Sequence, residues 1–218
     1  MRIIAFAAAY LIGSLPFGFL LVKHVFTRGE DIRTVGSGGT GATNVTRRAG
    51  RLAGLLTYAL DLAKGIAAVM LMSRVAEGDY FWIGAAGIAA VLGHIFPIFL
   101  RFRGGKGVST GMGMYLPLAP YSVVAALAIF ILTVGLTRYV SLGSVVAAAA
   151  LPILSWLFYG VLQRSPHVTE LTLIAVAAFA LILFAHRGNV MRLIRGTESK
   201  LGERASQPQQ SPTTGGRA

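Results

Sequence analysis

VSTGMGMYLPLAPYSVVAALAIFILTVGL, residues 108–136, is the stretch that decides the fold of this chain. Its 29 residues are long for one membrane-spanning helix and short for two, because about 20 apolar residues cross roughly 30 Å of hydrocarbon. Leu116-Pro117-Leu118-Ala119-Pro120 lies in its middle. A residue that precedes proline avoids the α region, so a helix break is predicted there. Whether that break separates two helices sets the number of crossings.

The flanking sequence gives the answer through its charges. Five other apolar runs have the length of a span: Ile3–Val22, Leu52–Met72, Tyr80–Leu100, Leu142–Leu162 and Leu171–Ala185. If residues 108–136 form two short helices meeting near Pro117–Pro120, the chain has seven spans, and 16 of its 20 Lys and Arg fall on one side. Arg2, Arg74 and Arg164 fall on the other, and Lys64 lies within a span. Basic residues collect on the cytoplasmic side. A single span would send the C-terminal basic cluster outside. The expectation is therefore an all-α integral membrane protein of seven transmembrane helices, N-terminus outside and C-terminus cytoplasmic.

Composition agrees. Charged residues make up 13% of the 218, against about 25% in soluble domains, and the mean hydropathy is +0.67. The net charge of +12 is accounted for by orientation and anionic ligands, and no nucleic-acid partner is expected. With no Cys in the chain, disulfides and thiol catalysis are excluded. The first run has no small-residue cleavage pattern, so it reads as a retained helix and not a signal peptide. Residues 1–203 read as one domain without internal repeats. Residues 204–218, rich in Ser, Gln, Pro, Gly and Thr, read as a disordered cytoplasmic tail.

In this topology residues 23–51, 101–107, 137–141 and 186–204 share the cytoplasmic face, and they are rich in donors. The first contains VGSGGTGATNVTRR, residues 35–48. Glycines such as Gly38 and Gly41 let backbone approach a ligand, and successive N–H groups can form an anion nest. Ser37, Thr40, Thr43 and Asn44 add side-chain donors, and Arg47 and Arg48 add charge suited to gripping phosphate. The alternative, a flexible linker, fits poorly with an Asn and paired Arg just before a membrane helix. In the second loop Gly104, Gly105, Lys106 and Gly107 open a helix, an arrangement suited to phosphate. It is not a Walker A loop, since Leu100 stands where the first glycine is needed. Plain positive-inside anchoring is the alternative there.

His186 and Asn189 are spaced to share a helix face, and His186 reads either as a polar anchor or as a donor or proton shuttle. Asp61 and Lys64 are three apart inside a span. A lone charge at the bilayer centre costs roughly 2.5–3.5 kcal/mol on insertion scales, so pairing is expected and their role is read as structural. His94 either lines the site or bonds to backbone, and His24 and His167 read as surface residues. No metal-ligand cluster, no Gly-x-Ser-x-Gly elbow and no His-x4-Asp pattern occurs in the sequence.

Several motifs in order carry a resemblance: Gly13-Ser14-Leu15-Pro16-Phe17-Gly18, Asp31-Ile32-Arg33, Gly36-Ser37-Gly38 through Gly41-Ala42-Thr43-Asn44 with Arg47, Leu92-Gly93-His94 with Phe96-Pro97, Gly104-Gly105-Lys106-Gly107, His186-Arg187 with Asn189, and Gly196-Thr197-Glu198. Together, over roughly residues 10–202, they resemble the bacterial membrane acyl-phosphate:glycerol-3-phosphate acyltransferase family, PlsY. The resemblance implies a seven-helix enzyme of phospholipid synthesis in the bacterial cytoplasmic membrane. It would use acyl phosphate and glycerol 3-phosphate and would need no cofactor, metal or coenzyme A donor. A monomer among membrane lipids is the expected state.

Carried over residue by residue, the resemblance makes Ser37, Arg47, His186 and Asn189 catalytic. Gly38, Gly41, Thr43, Asn44, Gly104, Gly105, Lys106 and Gly107 become substrate-binding, and Glu198 structural. The family usually has Asn where this chain has Gly39, so either Thr40 or Asn44 compensates or that donor is not needed. Acyl phosphate is already activated, so holding two anions close and supplying oxyanion donors suffices. A membrane transporter of an organic phosphate is the rival class, with the basic loops as its vestibule. A non-catalytic lipid-binding protein leaves the ordered Ser, Gly, Asn and Arg spacing without a purpose.

Overall fold

The computed structural model describes residues 1–203, and the expected disordered tail at 204–218 lies outside the described residues. Among the described residues every regular element is helical. The α-helices are α1 (Arg2–Ser14), α2 (Phe17–Leu21), α3 (Ala42–Ala49), α4 (Arg51–Ser73), α5 (Tyr80–Ile95), α6 (Val108–Tyr115), α7 (Pro120–Thr137), α8 (Val140–Ser155), α9 (Val168–Ala185) and α10 (Arg187–Ile194). A π-helical turn extends α2 to Phe26 and another extends α8 to Leu162. Among the described residues, six segments are long and apolar enough to cross a membrane: Arg2–Phe26, Arg51–Ser73, Tyr80–Leu100, Pro120–Thr137, Val140–Leu162 and Val168–Ala185.

The stretch at 108–136 does contain two helices, but only one is short. α6 has 8 residues, about 12 Å at 1.5 Å per residue. α7 has 18, about 27 Å by the same rise. The break occupies Leu116–Ala119, where Ala119 is held out of the helical region (φ −148°, ψ 68°) ahead of Pro120. Pro120 then stands in the first turn of α7, where a missing N–H costs nothing. The second proline starts a full-length helix and does not shorten one.

Glycines let the helices approach to backbone contact. A Cβ on Gly13 would lie 2.1 Å from Ala90 O, and one on Gly93 2.3 Å from Tyr10 O, where α1 crosses α5. Between α4 and α6, a Cβ on Gly65 would lie 2.2 Å from Thr110 O and one on Gly113 2.0 Å from Leu62 O. In a lipid environment such small-residue interfaces supply the packing that holds helices together. Pro16 breaks the first span, and α2 then passes beneath the first polar loop, where a Cβ on Gly18 would meet Thr40 O at 2.0 Å.

Contacts sort the connections into two ends. Arg2 pairs with Asp79 at 3.2 Å and donates to Ala76 O, which ties the chain start to the α4–α5 turn. At the other end Arg33 Nη1 reaches Leu100 O at 3.4 Å, Arg47 Nη2 reaches Ser199 O at 3.2 Å, and Leu201 N donates to Arg138 O at 2.7 Å. The donor-rich loops therefore meet one another. Inside the bundle Lys64 Nζ lies 2.9 Å from Asp61 Oδ1 and donates to Leu15 O at the Pro16 break at 3.0 Å.

Candidate active site

The first loop folds around Asn44, in the first turn of α3. Its Nδ2 donates to Gly39 O at 2.9 Å and Val35 O at 3.0 Å, with a longer contact to Ile32 O at 3.3 Å. Its Oδ1 accepts from Ser37 N at 3.2 Å. Gly36 and Gly38 turn the chain through positive φ, 58° and 69°. Asn44 is thus committed to the loop and does not replace the donor absent at Gly39. The fold leaves the first-turn N–H groups of Ala42 and Thr43 at the wall of a polar pocket, without intrahelical partners.

The second loop is bolted to the end of α5. Gly104 N donates to Ile95 O at 3.2 Å and Gly105 N to His94 O at 3.0 Å. Those two N–H groups hold the loop in place, and the glycines are required because a Cβ on Gly104 would lie 2.1 Å from His94 O. Gly107, at φ 78°, turns the chain into α6. Val108 and Ser109, in the first turn of α6, also line the pocket.

The third contribution comes from the end of α9. The helix stops at Ala185, and His186 (φ −94°, ψ 2°) redirects the chain into α10. His186 Nδ1 lies 2.8 Å from Ile182 O. A carbonyl only accepts, so Nδ1 carries the proton and Nε2 keeps its lone pair. Asn189 Nδ2 donates to Glu198 Oε1 at 2.6 Å, Ser141 Oγ to the same oxygen at 2.7 Å, and Arg192 Nε to Glu198 Oε2 at 2.8 Å.

These pieces converge on one pocket. Of the residues singled out in the sequence, Ser37, Gly41, Thr43, Asn44, Arg47, Asp61, Gly105, Lys106, Gly107, His186, Asn189 and Glu198 line it, together with His94. Gly38, Lys64 and Gly104 do not; they stand behind the wall. Tyr58, Phe130, Ser141 and Ser144 also line it, and the sequence reading did not single them out. The spacing of Ser141 and Ser144 on one face of α8 was the available signal. Among the described residues, no three His, Cys, Asp or Glu side chains gather as a metal site requires.

The electrostatics favour anions. Two helix N-termini, Arg47 and Lys106 face the same space. Burial lowers the Lys106 ammonium to about 8; Arg192 and Arg47 add to the shift while Glu198 opposes it. Burial also lowers His186, to about 4, with the charge of Lys106 acting in the same direction. Burial works to raise Glu198, yet the bonds from Ser141, Asn189 and Arg192 hold it below the ordinary carboxylate value.

An apolar groove continues from the pocket. Tyr58, Val108, Ser109, Phe130 and Ser144 line both spaces. Beyond them the groove runs among Met112, Val123, Leu127, Ala147, Ala148, Leu151 and Phe179, from α6, α7, α8 and α9.

A helical membrane protein with a donor-rich pocket, lined by Arg47 and Lys106 and joined to an apolar groove, is suited to a phosphorylated molecule and a lipid chain together. The family model for glycerol-3-phosphate acyltransferase matches residues 3–196, and this chain belongs to that family, an integral membrane acyltransferase of phospholipid synthesis. Similar proteins include a glycerol-3-phosphate acyltransferase of Geobacter sulfurreducens, 44% identical over 91% of this chain and 97% of that one. Another, from Geotalea daltonii, is 47% identical over 91% of this chain and 96% of that one. The crystal structure of PlsY, an integral membrane glycerol 3-phosphate acyltransferase, in its glycerol 3-phosphate form superposes with a TM-score of 0.81 at 34% identity. That match covers 92% of this chain and 96% of the other. The lysophosphatidic acid form gives 0.80 at 32% identity, over 92% and 95% of the two chains.

Proposed function

We propose that this protein transfers a fatty acyl group from acyl phosphate to the 1-position of sn-glycerol 3-phosphate. The products are 1-acylglycerol 3-phosphate, a lysophosphatidic acid, and inorganic phosphate. The observation that carries the reading is the continuity of the polar pocket with the apolar groove through Tyr58, Val108, Ser109, Phe130 and Ser144. An acyl phosphate needs both at once: donors for its phosphate and an apolar trough for its chain.

The chemistry needs no acyl-enzyme. The C1 hydroxyl oxygen of glycerol 3-phosphate attacks the acyl carbon, the bond from that carbon to the phosphate oxygen breaks, and the hydroxyl proton passes to the departing phosphate. The protein's part is to hold two anions together and to stabilise the oxyanion. Ser37, Arg47 and the first-turn N–H groups of α3 bind the acyl phosphate. Lys106, at the N-terminus of α6, binds glycerol 3-phosphate, with Gly105 and Gly107 shaping the loop. His186, with Nε2 free to accept, and Asn189 orient the reacting groups, and Glu198 frames them.

The connectivity suits seven crossings. The end of α7 at Arg138 meets the C-terminal segment on the side of the Lys106 loop, and a return crossing between Gly107 and Pro120, by α6 together with the turn that follows it, accounts for that. With the polar loops cytoplasmic, the N-terminus lies outside and the C-terminus inside, in a bacterial cytoplasmic membrane.

The test is turnover of palmitoyl phosphate and glycerol 3-phosphate by purified protein in lipid, without coenzyme A thioester. Lysophosphatidic acid and phosphate from the wild type, and neither from Ser37→Ala, are expected. No product from folded protein would sink the reading, and uptake of unchanged glycerol 3-phosphate into sealed vesicles would put transport in its place.

A further inference from the structure

Beneath the second loop lies a buried polar cluster that the acyl-transfer scheme leaves unused. Asp61, Lys64, His94 and Thr110 are at most 5% exposed. Asp61 Oδ1 lies 2.9 Å from Lys64 Nζ and 3.5 Å from His94 Nδ1, and Thr110 Oγ1 lies 3.3 Å from the same Nδ1. One edge of the imidazole is thereby held by α4 and α6.

The other edge meets the loop. A Cβ on Gly105 would lie 2.1 Å from His94 Nε2, so the ring fills the space that any side chain at 105 would need. The backbone of His94 grips the same residue, since Gly105 N donates to His94 O at 3.0 Å. Gly105 immediately precedes Lys106, and both line the polar pocket.

We infer that His94 is a positioning residue for glycerol 3-phosphate: Asp61 and Thr110 fix its ring, the ring sets the height of Gly105, and that height places the Lys106 ammonium against the substrate phosphate. The inference rests on the proposed acyltransferase reading for its ligand. A ring with no part in placing the loop could be lost or crowded without moving the Lys106 ammonium.

The test is a size exchange. His94→Asn keeps a polar nitrogen near Nδ1 for Asp61 and Thr110 and removes the edge that faces the loop. Gly105→Ala adds a methyl where that edge stands. Each alone raises KM for glycerol 3-phosphate about tenfold, with a smaller change in kcat, as loss of ground-state binding requires. The double variant His94→Asn/Gly105→Ala recovers most of that loss. A second readout needs no turnover: the rate of reductive methylation of Lys106, measured by mass spectrometry against Lys200 in the full-length protein in lipid. It shifts in each single variant and returns toward wild type in the double.

Losses that simply multiply in the double variant, in both readouts, would overturn the inference. So would an unchanged KM and an unchanged Lys106 rate in Gly105→Ala, which decides the matter even if the His94 variants do not fold. Compensation of the Lys106 rate in a protein without acyl transfer would support the positioning role and defeat the acyltransferase reading instead.

Discussion

Asn189 donates its amide to Glu198 at 2.6 Å, and that bond fixes what the carboxylate can do. Glu198 also accepts from Ser141 and Arg192, and its environment keeps it ionised. A carboxylate held this way has little basicity to offer, so it frames the pocket and does not take the hydroxyl proton. Glu198→Ala frees Asn189, Ser141 and Arg192 together. Hydrogen bonds to charged groups are worth about 1.5–3 kcal/mol each, so kcat/KM is expected to fall at least about tenfold. Glu198→Gln keeps the shape and part of the bonding and is expected to lose less. Steady-state kinetics of the two variants side by side check the order.

The acidity of Lys106 predicts a pH dependence. Its ammonium is lowered to about 8, so it is charged below that value and neutral above it. Glycerol 3-phosphate is a dianion above about pH 7, because the second phosphate pKa is near 6. KM for glycerol 3-phosphate is therefore expected to be flat up to about pH 8 and to rise beyond it. Lys106→Arg should abolish that rise, since a guanidinium keeps its charge. His186, lowered to about 4, stays neutral throughout and adds no inflection near neutrality. A rise in KM that survives in Lys106→Arg would remove Lys106 from the phosphate site.

The spans were legible in the sequence because hydropathy and length are one-dimensional quantities. The length of α7 was not. Pro117 and Pro120 are both break signals, and only the backbone shows that Pro120 begins a helix. The glycines had a second ambiguity. A glycine reports that something comes close, and at Gly104 and Gly105 the neighbour is His94, with the N–H groups bonded to carbonyls of α5. Asn44 reads as a ligand donor from its neighbours, yet its amide is used up inside the loop. Tyr58 acquires meaning only when α4 is brought against the loops, and no local pattern announces that; for Ser141 the one local hint is its spacing from Ser144 on a face of α8.

The commitment of Asn44 predicts a loop defect, not a lost substrate contact. Asn44→Ala leaves Ser37 N and the carbonyls of Val35 and Gly39 without their partner. These groups are part-buried, so each bond lost costs about 0.5–1.5 kcal/mol, and together they are enough to open the loop while the membrane helices stay folded. Limited proteolysis should cut the variant between residues 35 and 43 faster than the wild type, with acyl transfer lost. An inactive Asn44→Ala whose loop resists protease as well as the wild type would make Asn44 a substrate ligand.

Groove size predicts chain-length preference. Ala147 and Ala148 line the groove beyond its junction with the pocket, where small side chains leave room. Ala147→Phe fills part of that room. Each methylene excluded from the groove forgoes about 0.8 kcal/mol of burial, so displacing two or more of them shifts selectivity by about tenfold. The ratio of kcat/KM for palmitoyl phosphate to that for octanoyl phosphate should fall by that factor. An unchanged ratio would place the chain elsewhere.

The Asp61–Lys64 pair makes the sharpest statement about stability. The two side chains are 2% and 4% exposed and 2.9 Å apart. Lys64 also closes on Leu15 O at 3.0 Å, so the pair joins α4 to the break in the first span. Removing one partner of a buried pair leaves an uncompensated charge and costs about 3–5 kcal/mol, whereas removing both is far milder. Asp61→Asn should therefore lower the thermal midpoint in detergent strongly, because Lys64 is stranded. Lys64→Met should do the same to Asp61, eased by the contact of Asp61 with His94 at 3.5 Å. The double variant Asp61→Asn/Lys64→Met should melt above Asp61→Asn. Midpoints that fall additively would mean that each group is held by other neighbours and that the pair is incidental.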